Sequence, residues 1–423
     1  MAYDKISVIG MGYIGLPTAA ILASCGKIVV GVDVKVDVVD TINAGAIHII
    51  EPALEGIVKK VVDEGLLRAK LTAEPSDAFI IAVPTPFLEG TKTENVPDLS
   101  FVRAAAEAIS LVLKKGDLVI LESTSPVGAT EKLVEWLSAA RPDLIFPVNG
   151  SSNADINIAY CPERVLPGQV VKELRENDRV IGGITPQCAA AAVSLYKTFV
   201  SGECIITNAR TAEMVKLTEN ASRDLQIAFA NELSIICDRL SIDVWELIDL
   251  ANRHPRVNIL QPGPGVGGHC IAVDPWFIVS ENPEQAKLIR SAREVNDHKP
   301  KWVLEKIENV LRDFLQVNGT VSKFNVTIAV YGITFKANID DMRESPSKWI
   351  AEQISNFHQG KLLVCEPNIS ALPKTLSNAS LCSLEEAYEQ ADIHILLVEH
   401  REFCDRPKGG KVIDFKGIWS RFC

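Results

Sequence analysis

The chain has 423 residues, of which 47% are apolar, and its 43 Lys and Arg against 54 Asp and Glu give a net charge of −11. These values are ordinary for a globular protein of roughly two or three domains, and the negative charge disfavours non-specific binding of nucleic acid. No apolar run approaches the ~20 residues that span a bilayer, and a strand-like segment follows the initiator directly. We therefore expect a cytoplasmic protein with no signal peptide and no membrane association.

The first element is a strand followed by a glycine turn and a helix. Residues 5–9 (KISVI) are predicted to form a buried strand, and Gly10, Gly12 and Gly15 follow with GxGxxG spacing. This context fits a dinucleotide site, because the glycines permit a tight turn, approach of a pyrophosphate and close helix packing. Asp33 ends the next strand, where an acid accepts ribose hydroxyls and disfavours the 2′-phosphate of NADP. A chance match is the alternative, but strand, helix and acid agree. The predicted NAD-binding residues are Gly10, Gly12, Tyr13, Ile14, Gly15, Asp33, Thr85 and Thr124.

Three later segments predict further strands of the same sheet. Each is followed by a polar residue, namely Thr85, Thr124 and Glu163. In doubly wound sheets, ligands bind at the carboxyl ends of the strands. These residues are therefore predicted to line a ligand site. A structural role in turns and caps is the alternative, and it would be enough to explain Thr85.

A helix of about thirty residues without Gly or Pro follows, with Thr211 as its predicted N-cap. Lys216 and Asn220 are four residues apart and share one face. A helix of this length is expected to run through a core or a dimer interface, where both side chains need partners. We therefore favour a functional pair over a solvated face. The apolar stripe of the helix consists of Leu225, Phe229, Leu233 and Ile236.

The segment GPGVGGHCIAVDP, residues 263–275, contains one cysteine among several glycines. The ten cysteines of the chain are scattered singly, without a CxxC pair, which disfavours a zinc site or a disulfide scaffold. A single Cys is usually a buried apolar residue. However, Cys270 follows Gly267 and Gly268 and precedes Asp274 by four residues, which suits a nucleophile. The loop alone leaves both interpretations open.

The last hundred residues predict a second, smaller α/β unit. Residues 325–331 form a strand, Pro346 lies in the first turn of a helix, and KLLVCEP, DIHILLVEH and KVIDFKG form three more strands. Lys336 and Arg343 flank the loop before the helix, where a phosphate would meet both cations and backbone N–H groups. Ordinary surface charges are the alternative. A second dinucleotide is not expected, since GxGxxG is absent here.

The predicted fold class is α/β, with two Rossmann-like doubly wound domains joined by a long central helix and a helical middle domain. The predicted domains are an NAD-binding domain at residues 1–203, a central and dimerisation domain at 204–316, and a substrate-binding domain at 317–423.

Seven segments in this order resemble the UDP-glucose/GDP-mannose dehydrogenase family over essentially the whole chain. They are VIGMGYIGLP, VPTP, STSPVG, CPERVLPG, the helix with Lys216 and Asn220, GPGVGGHCIAVDP and GITFKANIDDMRESP. The resemblance implies a four-electron oxidation of C6 of a UDP-sugar to a carboxylate, using two NAD. Separately, the long helix suggests at least a dimer, and we expect a homodimer. LTENASRD and REVNDHKP resemble the branch that oxidises UDP-N-acetyl-D-mannosamine for enterobacterial common antigen. UDP-GlcNAc, UDP-glucose and UDP-GalNAc remain alternative substrates.

The resemblance also implies roles for individual residues. Cys270 matches the nucleophile that forms a thiohemiacetal and then a thioester. Lys216 matches a lysine that stabilises oxyanion charge, and Asn220 would hold a hydroxyl or water beside it. Asp274, with Thr124, would position water for proton transfer. The implied substrate-binding residues are Glu163, Arg164, Val165, Lys216, Asn220, Arg223, Arg256, Gly267, Gly268, Lys336 and Arg343.

Some positions depart from the pattern of the UDP-glucose enzymes. Glu163 matches an acid that assists the thioester step, but Pro167 and Val273 stand where those enzymes carry a second acid and a lysine. The hydrolytic machinery therefore does not transfer as a whole. His269 replaces a small residue beside the Cys, and we hypothesise that it favours the thiolate.

Two other function classes remain open. A two-electron hydroxyacid dehydrogenase also places a Lys and an Asn on a long helix, but it needs neither a nucleophilic Cys nor a third domain. A non-catalytic NAD or nucleotide sensor on the same fold is the other class. The presence of Lys216, Asn220, Cys270 and Asp274 together argues against a sensor.

Overall fold

The computed structural model describes residues 3–49, 51, 53–88, 95–148, 153–166, 168–268, 270–317 and 323–419. Pro167 and His269, on which two of the sequence arguments rest, lie outside these residues. The chain divides into two compact units, Met1–Glu219 and Asn220–Cys423. The division into three domains at 1–203, 204–316 and 317–423 stays a prediction.

An eight-stranded sheet with the order β3-β2-β1-β4-β5-β6-β7-β8 forms the centre of the first unit. The strands are β1 Lys5–Ile9, β2 Ile28–Val32, β3 Leu67–Lys70, β4 Ala78–Ile81, β5 Leu118–Leu121, β6 Asn157–Tyr160, β7 Arg179–Gly183 and β8 Cys204–Asn208. The described pairings are parallel except that β7 runs antiparallel to β6. The strand order reverses between β1 and β4, which is where doubly wound sheets bind ligands.

Apolar clusters cover both faces of this sheet, as expected for parallel strands that are buried on both sides. One face packs against α1, α2, α3, α6 and most of α7, and the other against α4 and α5. The helices are α1 Gly15–Ser24, α2 Val36–Asn43, α3 Leu54–Asp63, α4 Ser100–Ser110, α5 Ala129–Ala140, α6 Val170–Glu176 and α7 Pro186–Tyr196.

The predicted long helix is α8, which covers Ala209–Leu240. The prediction of Thr211 as its N-cap is wrong. The helix begins at Ala209, and Asn208 Oδ1 accepts the N–H of Thr211 at 2.9 Å, so the cap lies three residues earlier than predicted. Asn is as good a cap as Thr, and its side chain satisfies one of the N–H groups that every helix leaves unpaired at its start.

The buried side of α8 in the second unit includes polar residues among small apolar ones, which the apolar stripe did not predict. Asp224 and Asn231 are fully buried, whereas Phe229 is 52% and Ile236 is 47% exposed. The polar side packs through hydrogen bonds to Asn296 of a second long helix, α11 Lys287–Val317. Phe229 and Ile236 therefore lie outside the core, whereas Leu225 and Leu233 of the same stripe are partly buried.

A five-stranded parallel sheet with the order β11-β10-β9-β12-β13 forms the core of the second unit. The strands are β9 Ile328–Tyr331, β10 Leu362–Cys365, β11 Ser380–Leu381, β12 Ile393–Leu396 and β13 Lys411–Asp414. The remaining helices are α9 Val244–Ala251, α10 Asp274–Glu281, α12 Pro346–Phe357 and α13 Leu384–Gln390, with 3-10 turns at Lys323–Asn325, Lys374–Leu376 and Arg401–Phe403.

The predicted fold class is confirmed: two Rossmann-like sheets are separated in sequence by a helical region. Pro346 lies at the first position of α12, and Ser345 Oγ caps this helix by accepting the N–H of Lys348 at 3.1 Å. The short strand β11 was not predicted, since two paired residues carry too weak a pattern. In the part of the chain that the structure describes, no helix is long and apolar enough to cross a membrane.

Candidate active site

The glycine turn after β1 has the geometry that its sequence predicts. Gly10 has φ +92°, and a Cβ there would lie 2.7 Å from the carbonyl oxygen of Ala82. A Cβ on Gly15 would lie 1.8 Å from the oxygen of Gly10. A Cβ on Gly12 would meet no described atom within 4 Å. Two of the glycines are therefore required by close backbone contacts, and the third leaves open space for a ligand over the turn.

The start of α1 provides a site for an anion. Among the described side chains, none caps this helix at Ile14, so the positive end of the helix dipole, beside Tyr13, is available to a phosphate. Asp33 lies at the end of β2, and its carboxylate accepts the N–H groups of Met11 and Lys35, each at 3.0 Å. The acid is thereby held beside the turn. These features fit a pyrophosphate at the helix and a ribose at Asp33.

The loops after β4 and β5 are joined by side-chain hydrogen bonds. Thr85 Oγ1 donates to the carbonyl oxygen of Thr124 at 2.6 Å, and Ser123 Oγ donates to that of Val83 at 2.7 Å. The two threonines are partly exposed at the carboxyl end of the sheet. Thr85 therefore has the structural role that was its alternative interpretation, and its predicted contact with NAD stays a prediction.

Lys216 and Glu163 form a buried ion pair in the first unit. The Nζ of Lys216 lies 2.8 Å from Oε1 of Glu163 and also donates to the Glu163 carbonyl oxygen at 2.8 Å. The two side chains are only 6% and 8% exposed. Glu163 Oε2 accepts the N–H of Val165 at 3.0 Å, which holds the carboxylate towards the helix. The lysine thus has the partner that its predicted burial required.

Arg164, next to this pair, is bound to protein groups. Its Nη2 lies 2.7 Å from Oε1 of Glu219, and its Nη1 donates to the carbonyl oxygen of Asp178 at 3.0 Å. These contacts fix the loop after β6. Its predicted contact with substrate stays a prediction.

A second buried charge cluster, which sequence reasoning missed, lies in the core near this site. Arg179 Nη1 is 3.3 Å from Oε1 of Glu122, and the hydroxyl of Tyr196 donates to the same oxygen at 3.2 Å. Burial raises the pKa of Glu122; the charge of Arg179 opposes this, and the charge of Glu163 adds to it. No local sequence signal marks this pair, because its members are 57 residues apart.

Cys270 lies in a turn that leads directly into α10. Its carbonyl oxygen accepts the N–H groups of Val273 at 3.0 Å and of Asp274 at 2.8 Å. Cys270 is partly exposed, whereas Asp274, the first residue of the helix, is 2% exposed. Asn220 Nδ2 donates to Oδ2 of Asp274 at 2.6 Å. The second unit therefore brings together three of the predicted catalytic residues near one helix N-terminus, where partial positive charge favours an anionic thiolate.

The glycines before Cys270 allow the loop to pack against other backbone. A Cβ on Gly267 would lie 2.6 Å from the carbonyl oxygen of Glu344, and one on Gly268 would lie 3.0 Å from the ring of Phe335. The described neighbours of both glycines are thus protein atoms. Contact of Gly267 and Gly268 with substrate stays a prediction.

A buried amide network, also missed, holds the start of this loop. Asn231 Oδ1 accepts the N–H of Gly263 at 2.9 Å, and Asn231 Nδ2 donates to Asn296 Oδ1 at 2.9 Å. Asn296 Nδ2 in turn donates to Asp224 Oδ1 at 2.8 Å, and Arg293 Nη1 pairs with the same oxygen at 2.5 Å. The segment REVNDHKP contains Arg293 and Asn296. Polar residues at these positions of a long helix could have indicated a buried polar contact.

The loop between β9 and α12 carries the predicted phosphate contacts. Lys336 is exposed, and Arg343 is 42% exposed and forms a two-pronged pair with Asp341. Arg223 and Arg256 are exposed elsewhere in the second unit. All four predicted cationic side chains are therefore accessible to an anion from solvent, and Arg343 also pairs with the Asp341 carboxylate.

His400 and Glu366, both fully buried, hold this loop in place. The N–H of Asn338 donates to His400 Nδ1 at 2.9 Å, and since an amide N–H only donates, Nδ1 accepts. The proton of the neutral ring therefore lies on Nε2, which is 3.0 Å from Oε2 of Glu366. Glu366 also accepts the N–H of Ile333 at 2.9 Å. Glu366 follows β10, and the rule that pointed to Glu163 would have found it.

Among the described residues, no group of three His, Cys, Asp or Glu side chains is arranged to hold a metal ion. The nine described cysteines are free thiols.

Comparison with known proteins agrees with this geometry. Residues 4–200 match the profile of the UDP-glucose/GDP-mannose dehydrogenase family, NAD binding domain; residues 210–298 match its central domain, and residues 329–421 its UDP binding domain. The chain belongs to the UDP-glucose/GDP-mannose dehydrogenase family. As a member of this family it is an NAD-dependent oxidoreductase.

Individual members of the family are similar over their full length. The chain is 58% identical over 424 residues to UDP-N-acetyl-D-mannosamine dehydrogenase of Escherichia coli (strain K12), covering 99% of this chain and 100% of that protein. It is also 58% identical over 422 residues to NDP-N-acetyl-D-galactosaminuronic acid dehydrogenase of Ralstonia nicotianae, covering 99% and 97%. The solved structure of the UDP-N-acetyl-mannosamine dehydrogenase Cap5O from Staphylococcus aureus is 39% identical with a TM-score of 0.84, covering 98% and 95%.

Proposed function

We propose that the protein oxidises C6 of UDP-N-acetyl-D-mannosamine to a carboxylate in two steps, each using one NAD. The observation that carries this proposal is the grouping in the second unit: a partly exposed Cys270, and a buried Asp274 bound to Asn220 at 2.6 Å. A two-electron dehydrogenase has no use for a thiol at this position. When bound, NAD supplies the hydride acceptor for both oxidations.

The alcohol-to-aldehyde step requires a group that stabilises negative charge on the sugar oxygen. Lys216 serves this purpose, since its ammonium is held at 2.8 Å by the Glu163 carboxylate and by a main-chain oxygen. An ammonium fixed in a buried position needs little reorganisation when an oxyanion forms beside it. Asn220 holds the hydroxyl of the substrate or a water molecule.

The second oxidation requires a tetrahedral carbon that carries both hydrogen and an oxyanion. The thiolate of Cys270 adds to the aldehyde carbon and forms a thiohemiacetal, and oxidation of this intermediate gives a thioester on Cys270. Water then attacks the thioester, releasing the acid and restoring the thiol. Asp274 and Thr124 position this water, the Asp274 carboxylate accepts its proton, and Glu163 assists the same step.

The substrate nucleotide is held by cations, as a diphosphate requires. Lys336 and Arg343 bind the diphosphate, and Arg223 and Arg256 add positive charge from exposed positions. The other substrate contacts that we propose are Glu163, Arg164, Val165, Gly267 and Gly268.

The choice of sugar rests on similarity and not on a single residue. Identity to an N-acetylmannosamine enzyme and to an N-acetylgalactosaminuronic acid enzyme is the same, 58%. We favour the mannosamine substrate because the Staphylococcus aureus structure carries the same name at a TM-score of 0.84. The galactosamine analogue is the second candidate. The product would supply the uronic acid of enterobacterial common antigen, in the cytoplasm.

We also propose that the protein is a homodimer. On α8, Phe229 is 52%, Ile236 is 47% and Leu240 is 60% exposed. These apolar side chains would be buried against the same face of a second copy of the chain, since a twofold dimer is the commonest form of closed assembly. Sedimentation velocity tests this: the wild type sediments as a dimer and Phe229→Asp as a monomer, whereas a monomeric wild type would contradict the proposal.

The central experiment measures NADH formed per UDP-sugar consumed, with UDP-N-acetyl-D-mannosamine and UDP-N-acetyl-D-galactosamine in parallel. We expect two NADH per mannosamine substrate in the wild type and loss of turnover in Cys270→Ser. Cys404→Ser is the matched control, because this thiol is exposed and outside the site. One NADH per sugar, unaffected by Cys270→Ser, would refute the cysteine mechanism. Preference for the galactosamine substrate would select the second candidate.

A further inference from the structure

Two cysteines outside the proposed active site lie side by side in the small sheet. Strands β10 and β11 are parallel, with Val364 opposite Leu381. Cys365 is the last residue of β10 and Cys382 directly follows β11, and the N–H of Cys382 donates to the carbonyl oxygen of Val364 at 3.0 Å. Residues in register on neighbouring strands project to the same face of a sheet. The two thiols are therefore neighbours, and both are free.

We propose that Cys365 and Cys382 are a redox modification site, which a peroxide converts into a reversible disulfide. Neighbouring strands lie about 4.8 Å apart. A disulfide accepts Cα separations of roughly 4.4–6.8 Å and brings the Cβ atoms to roughly 3.5–4.5 Å. The pair therefore closes with a small inward movement and without a change of register.

The two thiols differ in a way that divides the reaction between them. Cys382 is partly exposed, whereas Cys365 is 4% exposed. A hydrogen bond from the Cys365 thiol lowers the pKa of Cys382, and the same contact together with burial raises the pKa of Cys365. The thiolate is the reactive form of cysteine. Cys382 is thus the thiol that meets the oxidant, and Cys365 is the thiol that closes the bond.

The chemistry balances with one hydrogen peroxide. The Cys382 thiolate attacks one peroxide oxygen, the O–O bond breaks, and the released hydroxide takes up a proton to leave as water. The sulfur of Cys365 then attacks the sulfenic acid on Cys382; the S–O bond breaks as the S–S bond forms, and the hydroxide leaves with the Cys365 proton as water. Two thiols lose two electrons in total, and the peroxide is reduced to two water molecules.

Oxidation at this pair has a direct route to the nucleotide loop. Glu366 follows Cys365 in the chain, and its carboxylate accepts the N–H groups of Ile333 and Thr334 and pairs with His400. Drawing the end of β10 towards β11 displaces this carboxylate. This consequence rests on the proposed function, in which that loop binds UDP. We expect the disulfide to weaken UDP binding several-fold and dithiothreitol to restore it.

Peptide mapping tests the modification without reference to catalysis. The full-length protein is treated with hydrogen peroxide, alkylated with N-ethylmaleimide and digested with trypsin. Cys365 falls in peptide 362–374 and Cys382 in peptide 375–401, so a disulfide joins two separate peptides. We expect the joined pair after peroxide, its loss with dithiothreitol, and its absence in Cys382→Ser. The exposed Cys404, in peptide 402–408, is the internal control. If Cys404 is oxidised while both peptides remain alkylated, the proposal is wrong.

Calorimetric titration with UDP tests the consequence, in a Cys270→Ser background so that oxidation of the nucleophile does not contribute. Weaker binding after peroxide, absent when Cys382→Ser is added, supports the link to the loop. Unchanged affinity in a protein that carries the disulfide would refute that link. Failure of the proposed function gives a different result, since the reduced protein would then not bind UDP at all.

Discussion

Loss of one member of the buried ion pair of Arg179 and Glu122 is expected to lower the stability of the first unit strongly. The two side chains are 2% and 0% exposed. Glu122 also accepts hydrogen bonds from Tyr196 and Thr18, and the guanidinium of Arg179 lies 4.9 Å from the centre of the Tyr196 ring. Replacing Arg179 by Met keeps the volume but leaves the carboxylate buried without its cation. Removal of one member of a buried pair costs about 3–5 kcal/mol of the free energy of unfolding.

This magnitude converts into a measurable change in melting temperature. For a domain of 150–250 residues, 1 kcal/mol corresponds to about 2–4 °C, so Arg179→Met should lower the Tm of the first unit by about 6–20 °C. Differential scanning calorimetry of the full-length protein measures this. Arg179→Met with Glu122→Gln should recover most of the loss, because the uncompensated charge is then absent. Arg103→Met is the control, since its pair with Glu107 is exposed and contributes little.

The pH dependence of Arg179→Met supplies the refuting result. Burial already raises the pKa of Glu122 above 4.5, and loss of the cation raises it further. When the pKa of an acid is higher in the folded than in the unfolded protein, ionisation of that acid lowers the free energy of unfolding. This loss is absent below the pKa of the unfolded state and grows as pH rises above it. The deficit of Arg179→Met should therefore shrink from pH 8 towards pH 5. A deficit that is constant over this range, or no deficit at all, would show that the charge pair is not what stabilises the cluster.

The remaining predictions concern the second unit. Asn231→Ala removes the acceptor of the Gly263 N–H, so it should cost about 1–3 kcal/mol in urea unfolding and change the rate at which iodoacetamide alkylates Cys270. His400→Gln places an amide N–H near the Nε2 position that faces Glu366 but no acceptor at the Nδ1 position that binds the Asn338 N–H, so it should raise the KM for the UDP-sugar while leaving NAD affinity unchanged. Burial lowers the pKa of Lys299 from 10.5 to about 7. Lys299→Met should therefore exceed wild-type stability below pH 7, by up to about 5 kcal/mol, and lose this advantage as pH rises towards 10.5.

Each of these outcomes has a contrary result. An unchanged alkylation rate in Asn231→Ala would mean that the amide network does not position the cysteine loop. The shorter variant His400→Asn places an amide near the Nδ1 position but leaves nothing at the Nε2 position that faces Glu366. If the KM is raised in His400→Asn but unchanged in His400→Gln, the bond to Glu366 holds the site and the bond to the Asn338 N–H does not. A pH-independent difference for Lys299→Met would mean that burial does not lower the pKa of Lys299 in the folded protein.

Much of the fold follows from local patterns that are visible in the sequence. Residues 5–9 form a strand with the predicted bounds, because a short and largely apolar segment before a glycine turn favours a buried strand over other secondary structure. The glycines at 10 and 15 are dictated by backbone contacts within the same turn. The start of α12 is equally local, since Ser345 and Pro346 are a cap and a first-turn residue. The family segments likewise marked Cys270, Lys216 and Asn220.

Only the tertiary structure decided which polar groups meet. Lys216 finds Glu163 across 53 residues of sequence, and Asn220 finds Asp274 across 54. Glu366 could be suspected from its place after β10, but its partner His400 is 34 residues away and has no local signal. The polar residues on the buried side of α8 were missed for the same reason. Hydrophobic periodicity shows which residues share one face of a helix. A buried polar side chain, however, needs hydrogen-bond partners on another element. The distances to those partners are set by the tertiary structure and are not contained in any local sequence pattern.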